Sequence, residues 1–123
     1  MTTSEMLPKL SLSAEPSPTR FRLQYVIDPY TGPIVAQTLT VRRELVIGRS
    51  PTADLQLEGR LISRRHVVVR AASAGLEIED LSVYGTLVDG VPLQLARVRL
   101  GRECNLLVGC VRVWLRRELS ESR

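Results

Sequence analysis

Three short stretches hold almost every residue that could do chemistry. GRSPTAD (48 to 54), EGRLISRRH (58 to 66) and SVYGTLVDG (82 to 90) set small polar and basic residues beside turn signals in an otherwise apolar chain. Of the seventeen basic side chains all but Lys9 are arginine, whose planar fork of donors suits the paired oxygens of a carboxylate or a phosphate. Ser63 and His66 lie three residues apart, and Asp80 or Asp89 could complete a nucleophilic triad. A nucleophile also needs its base within hydrogen-bonding reach and an oxyanion hole opposite, and no GxSxG elbow or comparable setting is present. A catalytic triad is therefore not expected of these residues, which leaves the enzyme reading without support. Two cysteines, Cys104 and Cys110, with a single histidine cannot assemble a four-ligand zinc site. No metal or cofactor is expected, and both thiols are expected to be free and buried.

The elements that must position these residues are strands. FRLQYVI, IVAQTLTV, ELVIG, LQLE, HVVVRA, LEIEDL, TLV, VRL, NLLV and VRVWLR are short runs, many alternating, rich in Val, Leu and Ile, which is the pattern of a half-buried strand. DPYTGP, RSPTAD, AASAG and VDGV supply turn chemistry between them. No stretch of ten residues shows apolar spacing of three to four, so an all-β antiparallel sandwich with at most single helical turns is expected. Residues 1–20, which include SAEPSPT, show neither periodicity and read as a flexible tail. The sandwich is expected over 21–118, with a short tail at 119–123. Trp114 is expected to fill the core of the last strand, and Asp54 to tie a turn to backbone N–H groups.

Composition narrows the function. A chain of 123 residues with 44% hydrophobic content can build one core. The opening MTTSEMLPKL is acidic at Glu5 and lacks a long apolar run, and no window approaches the ~20 apolar residues that span a bilayer, so a cytoplasmic location without membrane insertion is expected. The net charge of +4 lies in the folded part. Aromatic residues are only 4% and no basic run exceeds two, so stacking platforms and basic arms for nucleic acid are poorly supported. The preference for Arg over Lys suggests a GC-rich bacterial genome.

The order GR, then SxxH about fifteen residues on, then GTxVDG about twenty further, resembles the forkhead-associated (FHA) domain over roughly residues 21 to 118. The resemblance implies a sandwich of about eleven short strands that recognises phosphothreonine in a partner protein, in Ser/Thr kinase signalling. Arg49 resembles the family's phosphate-binding arginine and Ser63 its phosphate-contacting serine, with Arg64 where a further polar or basic contact often stands. Such a site fits the ligand, because a phosphothreonine carries nearly two charges and three acceptor oxygens. In the family the histidine matching His66 is structural, bonding the loop backbone. Gly48, Gly85 and Gly90 read as positions needing tight or left-handed turns, and Thr86 as a hydroxyl pinning its loop from within. Arg65 is expected on the other face of its loop.

One departure weakens the match. Where the family commonly has a polar residue and Asn before Gly-Thr, this chain has Val83 and Tyr84. The family's Asn grips the peptide backbone beside the phosphothreonine, which a tyrosine hydroxyl cannot reproduce. Val83, Tyr84 and Ser82 are expected to border the peptide groove. Either phosphopeptide binding survives on Arg49, Ser63 and Arg64 with altered selectivity, or the domain is a degenerate scaffold that binds without phosphate. Charge-assisted contacts of roughly 1.5 to 3 kcal/mol each outweigh one neutral bond of about 1 kcal/mol, which favours retained binding. Thr2, Thr3, Ser4, Ser17 and Thr19 could themselves be phosphorylated and bound by the same domain, as in some bacterial members of the family. Some twenty flexible residues reach on the order of 25 Å.

Overall fold

The computed structural model describes residues 18–26 and 32–118. Eleven strands follow one another: β1 (Thr19–Val26), β2 (Ile34–Val41), β3 (Leu45–Gly48), β4 (Leu55–Gln56), β5 (Val67–Ala72), β6 (Gly75–Asp80), β7 (Thr86–Val88), β8 (Val91–Leu93), β9 (Arg97–Leu100), β10 (Glu103–Val108) and β11 (Val111–Glu118). They form a six-stranded sheet in the order β2-β1-β11-β10-β7-β8 and a five-stranded sheet in the order β4-β3-β5-β6-β9. This is the all-β sandwich expected, antiparallel except where β4 runs parallel to β3. None of the described residues is helical, and no helix among them is long and apolar enough to cross a membrane.

Alternation decides what each strand buries, since successive side chains point to opposite faces. Phe21 and Leu23 of β1 meet Val113 and Leu115 of β11, Leu106 and Val108 of β10, and Leu45, Ile47, Val69 and Ile78 of the opposite sheet in one apolar core. The same alternation corrects the expectation for Trp114. With Val111, Val113 and Leu115 inward, Trp114 stands on the outer face, beside Gln24 and Asn105 on the neighbouring strands and under the Arg116 guanidinium at 5.8 Å.

Three other expectations are corrected. VDGV contains more than a turn: Asp89 and Gly90, with φ of 50° and 82°, make a two-residue hairpin, and Val91 to Leu93 return as β8. Pro92 argues against a strand in sequence but is tolerated here because β8 is an edge. The strand β1 starts at Thr19, opposite Val41, so Thr19 belongs to the sheet and not to a tail. Both cysteines are free, yet only Cys104 is buried; Cys110 is exposed in the turn between β10 and β11. Asp54 does tie its turn down, accepting the Val46 N–H at 2.8 Å. Thr2, Thr3, Ser4 and Ser17, most of DPYTGP and the stretch 119–123 lie outside the described residues.

Candidate functional site

The end of β3 and the segment before β5 are joined through their backbones. Arg49 N–H donates to Ser63 C=O at 3.0 Å, Ser50 N–H to Arg64 C=O at 3.1 Å, and His66 N–H to Ile47 C=O at 2.9 Å. Gly48 makes this approach possible by lacking a side chain, since a Cβ there would overlap the Arg64 carbonyl. Of the tight or left-handed turn expected there, it is the close approach that requires glycine, since Gly48 has no positive φ. Arg49, Ser63 and Arg64 are thereby set side by side on neighbouring segments.

Their polar groups are partly committed and partly free. Arg49 Nε donates to the Ile62 carbonyl at 3.0 Å, which fixes the plane of an exposed guanidinium while leaving its terminal nitrogens without a protein partner among the described residues. Ser63 Oγ accepts the Val83 N–H at 3.1 Å, so the hydroxyl proton is available to donate elsewhere. Arg64 is exposed and has no carboxylate partner among the described residues. Four arginines of the five-stranded sheet and its loops differ. Arg65 pairs with Glu44 at 3.2 Å, on the far face of the loop as expected. Arg70 binds Glu44, Glu77 and Glu79, and Arg97 and Arg99 lie within 4.0 Å of the same carboxylates. The hydrogen bond to Glu79 leads the effects that raise the Arg70 pKa above its ordinary value. The arginines that line the five-stranded sheet are thus paired with carboxylates, while Arg49 and Arg64 at its end are not, among the described residues.

His66 is completely buried, and its hydrogen bonds define its tautomer. Ser63 N–H can only donate, so Nδ1, 3.0 Å away, accepts; Nε2 then carries the proton and donates to Gly85 C=O at 3.0 Å. The ring touches the backbone of Ser63 and not its hydroxyl, and it links this loop to the one after β6.

That second loop is built around Asp80, also fully buried. Its carboxylate accepts four bonds: from Ser82 N–H at 3.1 Å, Ser82 Oγ at 2.8 Å, Thr86 Oγ1 at 2.6 Å and Leu95 N–H at 3.0 Å. Thr86 pins the loop from within, as expected. Gly85, with φ of 90°, takes the left-handed turn and donates its N–H to Ser82 Oγ at 2.7 Å.

Residues 45–109 match the family model described as the FHA domain. The chain belongs to the FHA domain family. No curated protein matches the sequence closely, but solved FHA domains do. One, from a structural and functional analysis of phosphothreonine-dependent FHA domain interactions, is 27% identical over 83% of this chain and all of its own length, with a TM-score of 0.63. The FhaA FHA domain complexed with the intracellular domain of Rv3910 is 28% identical over 78% of this chain and 99% of its own, with a TM-score of 0.60. The FHA domain of the CT664 protein from Chlamydia trachomatis, at 24% identity, shares the fold over 82% of this chain and 99% of its own, with a TM-score of 0.65.

Within this FHA domain the residues expected at the peptide groove separate. Val83 and Tyr84 are exposed, at 69% and 66%. Tyr84 stands at the mouth of a cleft of about 230 Å³ lined also by Leu61, Leu87, Pro92, Gln94 and Gly109. Ser82, by contrast, is 1% exposed, its hydroxyl committed to Asp80 and Gly85, so it lies beneath the loop and not on the groove. Gly90 takes the left-handed conformation expected of it, with φ of 82°, in the hairpin at the far end of β7 from Thr86. Four contributors escaped the sequence reading. Asp80 is the buried anchor, and its only local sign is a Ser two residues on, the spacing of an Asx turn. Gln94 props the loop by donating to Val83 C=O at 2.6 Å, and no sequence signal marks it. Arg60 shares an open recess with Arg49 and Gln56, and Gln56, in β4, donates to the Arg49 carbonyl at 3.2 Å; only the loop position of Arg60 hints at this.

Proposed function

We propose that this FHA domain binds threonine-phosphorylated peptides, with the phosphate held by Arg49, Ser63 and Arg64. The observation that carries the reading is the state of Arg49 and Ser63. One guanidinium edge is anchored by the Ile62 carbonyl, and the Ser63 oxygen already accepts the Val83 N–H, so two oriented donors are left for a group rich in acceptor oxygens. Orientation before binding reduces the ordering cost of the complex, and hydrogen bonds to a charged phosphate are about twice as strong as neutral ones. The FHA domain at 27% identity whose study concerns phosphothreonine-dependent interactions supports the choice of ligand.

The partner in this reading is a protein phosphorylated by a Ser/Thr kinase, met in the cytoplasm, and the N-terminal residues Thr2 and Thr3 of the chain itself are an intramolecular candidate. Tyr84 and Val83 border the peptide next to the phosphate. Their exposure supports a second reading, in which the apolar rim contacts a partner without phosphate. Calorimetric titration with a degenerate phosphothreonine peptide library and its unphosphorylated counterpart separates the two. Heat that requires both the phosphate and Arg49 is expected; equal heats with and without phosphate, unchanged in Arg49→Ala, would establish the second reading instead.

A further inference from the structure

The sandwich has four strand edges, and three of them are blunted against pairing with another chain. An unpaired edge is a template for further strands, which proteins counter by shortness, proline or charge. β4 has two residues. β8 has three, one of them Pro92. β9 has four, with Arg97 and Arg99 exposed along it. The remaining edge, β2, is treated in the opposite way. It runs for eight residues as IVAQTLTV, without a charge, a proline or a glycine, and five of the eight are Ile, Val or Thr, the types that favour extended pairing. It is paired with β1 along its whole length on one side and is the outermost strand of its sheet on the other, among the described residues. Ile34 is 67% exposed at its start, and Val35, Leu39 and Val41 are only half-buried at the margin of the core.

We infer that β2 pairs with β2 of a second copy of this chain, antiparallel about a twofold axis, to give a continuous twelve-stranded sheet. The flanking charges fix the direction in which a second copy can pair. Arg42 and Arg43 follow β2 directly. Parallel pairing would set them against the same arginines of the partner, whereas antiparallel pairing puts the two pairs at opposite ends, about 27 Å apart by strand rise and beyond a Debye length at physiological salt. A twofold axis through the sheet pairs residues of the same face, so the register centres on Gln37 or on Thr38. In the first, Val35 lies against Leu39; in the second, Val35 lies against Val41. Either way, half-buried apolar side chains at the margin of the core gain a cover. The contact is isologous and closes at two copies, so it does not propagate into a fibre.

The test uses the full chain and two charged variants. Ala36 and Thr38 are exposed on the outer face of β2; in the first register they stand opposite each other and in the second Thr38 stands opposite itself, so A36K/T38K opposes like charges across the axis in both. Sedimentation equilibrium from micromolar to near-millimolar protein is expected to show the wild-type mass doubling and A36K/T38K remaining monomeric with an unchanged melting curve. Mixing A36K/T38K with A36E/T38E should restore the doubled mass. A wild-type chain that stays monomeric across the range overturns the inference, as does a dimer that survives A36K/T38K. The inference is independent of phosphate binding: Arg49→Ala should dimerise normally, and A36K/T38K should titrate with phosphopeptide as wild type does.

Discussion

The segment before β5, zipped to the end of β3, and the loop after β6 meet where Val83 donates to Ser63, and they are held in opposite ways. The first is fastened by backbone bonds across Gly48 and shows charge to solvent at Arg49 and Arg64. The second is fastened by one buried carboxylate, Asp80, and shows apolar surface at Val83 and Tyr84. His66 joins them through a single ring. The contrast teaches that the support of a loop and the face it presents are separable: the second loop is held from within by Asp80 while the side chains of Val83 and Tyr84 stand outward and free of that scaffold. A site can change what it reads without changing what holds it up.

Removing the support of one loop should cost most. Asp80→Ala strands three N–H or O–H groups of the loop and the Leu95 N–H, and the expected loss is about 4 kcal/mol of folding stability by urea denaturation, a large part of the whole for a domain of this size. If stability were barely changed, the distinction between a scaffolded loop and a zippered one would fail. Changing a face and not a support should spare stability and strike binding. Arg49→Ala is expected to weaken phosphopeptide affinity by roughly 10- to 150-fold, the equivalent of about 1.5 to 3 kcal/mol, with the melting temperature close to wild type. Ser63→Ala is expected to cost about 1.5 kcal/mol, roughly tenfold in calorimetric Kd and at the low end for a bond to a charged group, since one hydroxyl donor is lost and the Arg49 anchor stays. The smallest effect sharpens the contrast from the other side: Tyr84→Asn should gain about 1 kcal/mol in phosphopeptide affinity by supplying an amide on an intact scaffold. No gain would mean that the rim, and not the missing amide, sets selectivity.

The sandwich is legible in the sequence because alternation is a local signal: each apolar run in IVAQTLTV or VRVWLR states its own period. Reading failed where local signals conflicted. Pro92 hid β8, and the size of Trp114 outweighed the alternation of Val113 and Leu115 that turns it outward. Within the site, Arg49, Ser63, His66, Gly85 and Thr86 stood in recognisable spacing. The role of Asp80 was obscured because three of its four bonds come from side chains or segments two to fifteen residues away. Ser82 was misplaced for the same reason, since nothing in SVYG tells which hydroxyl turns inward. Gln94 reaches Val83 from eleven residues on, a contact that exists only once β8 has brought it back.

The two cysteines divide along the same line between support and surface. Burial, aided by the charges of Asp89 and Glu103, pushes the Cys104 thiol up to about 12, so at neutral pH it holds almost no thiolate, the form that reacts. Cys110 is exposed beside Gly109, one of the residues lining the cleft at Tyr84. The native chain therefore offers a single address for a maleimide dye, at the edge of the proposed peptide groove and without any substitution. One thiol should titrate with Ellman's reagent in the folded protein and two in denaturant, and a fluorophore at Cys110 would turn ligand binding into a change of colour or intensity.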